Sequence, residues 1–138
     1  MKAVILSLIV AMMWGITPIF EKLSLIKASP LTVLTIRSLF ASTCLIVIAL
    51  ITKDYRQYPT LDGKTLIWIL AGSLLGGIVG LFIYFTALKA DIASRVVPIV
   101  ASYPLFAAFY AFLFLNEALS IPKILGIILI VVGIALVK

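Results

Sequence analysis

Residues 96–116 read VVPIVASYPLFAAFYAFLFLN, an uncharged run about as long as a bilayer is thick at ~1.5 Å per helical residue. Two prolines, Pro98 and Pro104, stand inside it. Each removes a backbone donor and crowds the carbonyl four residues back, here those of Ser94 and Val100. In hydrocarbon such a carbonyl needs another partner. The hydroxyls of Ser94, Ser102, Tyr103 and Tyr110 are the nearest ones. Two readings fit the run: a helix facing a protein-lined or wetted cavity, or a kinked packing helix.

The composition of the whole chain agrees with a membrane setting. Its 138 residues are 64% hydrophobic and 12% charged, and the mean hydropathy is +1.32, too little polar surface to clothe a soluble globule. The formal net charge of +6 is spread between apolar runs, and no basic stripe interleaved with aromatics points to nucleic acid. With no histidine and the single cysteine, Cys44, inside an apolar span, the chain offers no intrachain disulfide, Cys/His zinc site or serine–histidine triad. No metal or cofactor is expected.

Working outward, residues 3–20 are uncharged and end at Glu21-Lys22. The run lacks a small-x-small cleavage site and reads as a retained helix rather than a signal peptide. Ser29-Pro30 is a helix-start signal, and the apolar run behind it is interrupted only by Arg37. Residues 53–64 are the one substantial hydrophilic loop. A third run opens near Trp68, Asp91 is placed to cap the fourth, and Ser120-Ile121-Pro122 opens a short fifth. The expectation is an all-α integral membrane domain over residues 1–138. It forms a five-transmembrane-helix bundle, with helices at about 3–22, 30–52, 64–88, 92–116 and 121–137.

Five spans place the termini on opposite sides, yet loop charge does not choose between them. Lys2, Lys53, Arg56, Lys64 and Lys123 fall on one side, and Lys22, Lys27, Lys89, Arg95 and Lys138 on the other. Such balance permits insertion in either orientation, as an antiparallel homodimer requires. The alternative is one orientation set by the basic loop.

Helix faces supply the candidate residues. Gly72, Gly76 and Gly80 recur every four residues and suit close helix packing, as do Gly126 and Gly133 in the fifth run. Trp14 and Pro18 share a face of the first helix with Glu21 and Lys22 at its end, a cavity wall or a packing surface. Arg37 is the costliest residue, at ~2.5–3.5 kcal/mol for a charge at mid-helix. Three roles stand open: holding a solute carboxylate or phosphate, snorkelling to the near interface, or bracing the bundle against Glu21, Glu117 or loose carbonyls. Glu117 itself suits ion pairing, a headgroup position or proton coupling.

Together these residues resemble a single EamA domain, the five-helix repeat of the drug/metabolite transporter superfamily. The resemblance rests on Trp14-Gly15-x-x-Pro18-x-x-x-Lys22, Arg37 with Leu39 and Ala41, and Tyr84-Phe85-x-Ala87-Leu88, then Ala93-Ser94, Pro104, Glu117, Gly126 and Gly133. It implies one half of an inverted-repeat transporter, with Trp14, Tyr84, Ser102, Tyr103 and Pro104 at or near a substrate cavity, to which the reading of helix faces and charges adds Pro18, Lys22 and Arg37. Most members carry two repeats and export small metabolites, so one repeat implies a homodimer or a heterodimer with a homologous subunit in the inner (plasma) membrane. Small multidrug resistance proteins are also half-sized but depend on an acid in mid-helix one, where this chain has Met12, Met13, Trp14 and Gly15. A transporter subunit moving a small organic solute is thus the first expectation. A non-transporting assembly subunit and a lipid-linked sugar flippase subunit are the alternatives. No nucleophile–base pair suggests an enzyme.

Overall fold

Ser29 fixes the first corner of the chain. Its Oγ accepts the Thr32 N–H at 3.1 Å with Pro30 opening the helix behind it, as the sequence dictates. The computed structural model describes residues 2–116 and 120–136, and those residues are helical almost throughout. Helix α1 is Lys2–Lys27 and α2 is Pro30–Thr52. Lys53, in the left-handed region at φ 61°, ends α2 and leads into a 3₁₀ segment, Asp54–Thr60. Asp62 then caps α3, Gly63–Ala90, whose middle eight residues, Ser73–Gly80, are π-helical. Next come α4, Ala93–Val100, α5, Tyr103–Leu115, and α6, Ile121–Ala135.

Four stretches among the described residues are long and apolar enough to cross a bilayer: α1, α2, α3 and the α4–α5 pair taken together. The shorter α6, 15 residues, reaches ~22 Å at ~1.5 Å per residue, less than the ~30 Å hydrocarbon core.

Two differences from the sequence reading have simple causes. Helix α1 does not stop at the charges Glu21 and Lys22 but runs to Lys27, since no proline or glycine intervenes and Leu25 goes into the core. The fourth span is not one kinked helix. It breaks at Ala101 and Ser102, between the two prolines, and backbone bonds rather than hydroxyls close the turn. Ala101 N–H donates to the Val97 carbonyl (2.8 Å), Ser102 N–H to Ile99 (3.1 Å) and Leu105 N–H to Ser102 (3.0 Å).

The chain divides into two units, residues 1–89 and 90–138. In the first, α1, α2 and α3 meet near one end, where Leu25, Leu34, Phe85 and Leu88 are buried beside Pro18 and Glu21. Beyond that junction the apolar side chains face outward, as suits helices bathed in lipid or covered by another subunit. In the second unit α5 packs against α6, and Asp91 binds Ile92 N–H at 2.7 Å and Arg95 at 3.0 Å ahead of α4.

Candidate functional site

Several serine and threonine hydroxyls along the first helices turn back on their own backbone. Ser7 donates to the Ala3 carbonyl at 2.9 Å, Thr17 to Met13 at 2.9 Å, Ser24 to Phe20 at 2.8 Å and Thr86 to Phe82 at 2.7 Å. Such bonds satisfy a hydroxyl within its own helix and leave it little to offer a ligand. The side-chain polar contacts that reach from one helix of the first unit to another are made by its ionisable groups.

These groups gather where the three helices meet. Arg37 Nη1 on α2 lies 3.8 Å from Glu21 Oε1 on α1, an ion pair too long for a hydrogen bond. The carboxylate side chain is 9% exposed and the guanidinium 45%, so the anion is held inside while the cation looks outward. Phe85 on α3 supports the guanidinium from below, with Arg37 Cζ 5.8 Å from its ring centre. The Tyr84 phenol, 5.7 Å from the Phe85 ring, lies within range of the Glu21 carboxylate.

The lysines beside this cluster have a different task. Lys22 Nζ donates to the Leu88 carbonyl at 2.6 Å and reaches that of Lys89 at 3.4 Å, while Lys89 Nζ donates to the Ala28 carbonyl at 2.7 Å. Each cation thus satisfies carbonyls at the C-terminal end of the other's helix, where the helix dipole is negative. Beside them, α1 and α2 enclose an open groove of about 420 Å³. Phe20, Val33, Ile36 and Phe40 form its walls and Arg37 stands in it beside Glu21.

Lys22, Arg37, Tyr84 and Glu21 therefore come together, with Pro18 buried one turn away. Trp14, on the same helix, is exposed and takes no part in the cluster. In the second unit Ser102 lies in the break of the fourth span, Pro104 just after it, and Tyr103 is exposed. Glu117 lies outside the described residues. Around Gly72, Gly76, Gly126 and Gly133 there is open space: an added Cβ would meet nothing within 4 Å among the described residues. Gly80 is different: a Cβ there would stand 2.7 Å from the Leu75 carbonyl of its own π segment.

Two residues of the cluster escaped sequence reasoning. In the sequence Phe85 stands in the Tyr84-Phe85-x-Ala87-Leu88 motif with no role of its own, and Lys89 reads as loop charge. The usable signal was spacing: Phe85, Leu88 and Lys89 fall on one face three and four residues apart, which would have marked that face as the one turned to α1.

The described residues thus form an all-helical set of apolar spans in which a buried carboxylate faces a half-exposed guanidinium. The chain is a member of the EamA-like transporter family, whose profile matches residues 1–138. It is 30% identical over 136 residues to an uncharacterised protein of Methanocaldococcus jannaschii, a match covering 99% of this chain and 96% of that one. No solved structure matches.

Proposed function

We propose that the chain is a transporter subunit of the inner (plasma) membrane, exporting or exchanging a small organic metabolite by alternating access. Two five-helix repeats, identical or homologous and oppositely oriented, rock about a shared solute route. The observation that carries this reading is the Glu21–Arg37 pair, since ionisable groups kept within apolar spans mark solute or ion pathways. The relative of nearly the same length supports pairing of single repeats. So do the uncovered glycine rows, which offer close approach to another backbone.

In this reading Trp14 and Tyr103 contribute aromatic wall to the route. Purified protein reconstituted in vesicles should move a solute from a panel of amino acids, nucleosides and lipid-linked sugars. Trp14→Ala and Tyr103→Ala should each cut flux at least tenfold while leaving cross-linked dimer intact. Flux from protein that stays monomeric by cross-linking would overturn the pairing, and absence of flux across the panel would overturn transport of these solute classes.

A further inference from the structure

The geometry points to proton-linked binding of a small organic carboxylate in the α1–α2 groove, with Arg37 exchanging Glu21 for the solute's carboxylate as Glu21 takes up a proton. The groove, about 420 Å³, has the size of a small-molecule site. Its walls are aliphatic and aromatic, and its hydroxyls, Thr17 and Ser24, already donate to Met13 and Phe20 carbonyls. What it presents to a ligand is an oily surface with one half-exposed guanidinium. An anionic group on an apolar body is the chemistry that matches.

Charge bookkeeping then brings in the proton. At 3.8 Å, Arg37 neutralises Glu21 without a hydrogen bond, so its N–H donors remain for a second, better-placed carboxylate. Were that carboxylate to bind with Glu21 still ionised, two anions would share one cation, one of them almost wholly shielded from solvent. The other ionisable groups around Glu21 do not relieve this. Tyr84 on α3 is a neutral phenol, while Lys22 on α1 and Lys89 on α3 are engaged with carbonyls of the opposite helix. Adding one proton to Glu21 restores the balance: a neutral acid beside Tyr84, and an Arg37–carboxylate pair facing the groove. No covalent bond to carbon changes, and solute and proton enter together without net charge.

This inference rests on the transporter reading but is separable from it. The probe is 3-phenylpropionate, with 3-phenylpropanol as the neutral control, added to protein in phosphatidylcholine nanodiscs. Wild-type affinity for the acid should rise about tenfold per unit fall in pH over the linked range, with one proton taken up per molecule bound, measured by a pH indicator in weak buffer. A protonated-carboxyl infrared band should appear with the ligand, and the alcohol should produce neither signal. Glu21→Gln should bind the acid with flat pH dependence and no proton uptake, and Arg37→Ala should lose binding at least tenfold. Failure of the acid to bind wild type, or pH-independent binding, overturns the proposal. Proton uptake on adding phosphatidylglycerol alone assigns the anion to a lipid headgroup and overturns the small-solute assignment. Solute flux without carboxylate binding sinks this inference and leaves the transport reading standing; linked binding without flux does the reverse.

Discussion

Lys22 and Lys89 show how a cation in an apolar protein can be held by backbone carbonyls. Each ends against carbonyls that its neighbour helix cannot satisfy, and hydrogen bonds to a charged donor are worth about 1.5–3 kcal/mol. Lys22→Met should therefore lower thermal stability in detergent by about that amount, with Lys89→Met, the more exposed, costing less. Asp62 gives the complementary case at the aqueous edge. Hydrogen bonds from the Thr65 hydroxyl and backbone N–H hold its carboxyl below the ordinary value of 3.8. A carboxylate so lowered stabilises the folded state at neutral pH, and that contribution vanishes as pH falls from about 4 through the lowered value. Melting temperature should drop across that window in the wild type, and Asp62→Ala should remove this part of the drop. The sequence disclosed Arg37 as anomalous because a lone charge in an apolar run is conspicuous. It left Glu21 and Glu117 equally eligible as counterion, since which helix end meets which is decided by packing.

At the scale of the helices, local signals were read well and their consequences less so. Ser29-Pro30 capped α2 as expected, because such a start depends on residues in immediate succession. Pro98 and Pro104 announced a disturbance, but not that the chain would divide into α4 and α5, an outcome that depends on two lost donors six residues apart acting on one turn. The π-helical Ser73–Gly80 was invisible, being read only as a glycine row. Gly76 and Gly80 now part company. Gly80→Ala sets a methyl 2.7 Å from the Leu75 carbonyl and should cost about 1–3 kcal/mol or force the segment back toward α geometry, detectable as faster amide exchange around residues 75–80. Gly76→Ala meets nothing within 4 Å among the described residues and should leave the isolated subunit's stability unharmed, changing only association.

For the molecule as a whole, composition was enough to specify helices in a bilayer, and the order of motifs was enough to specify the family. Orientation was not legible, since cations are shared evenly between the two sides. Reporter fusions at both termini should accordingly give signal in both compartments if two copies of this chain pair head to tail; one clean orientation would leave only pairing with a homologue. The crossed lysines bear on how any such assembly moves. Sliding α1 past α3 by a single turn, about 5.4 Å, would tear both ammonium groups from their carbonyls at once. Those two helices must travel as one rigid blade, and whatever flexes during a cycle has to be found at α2 or beyond residue 90.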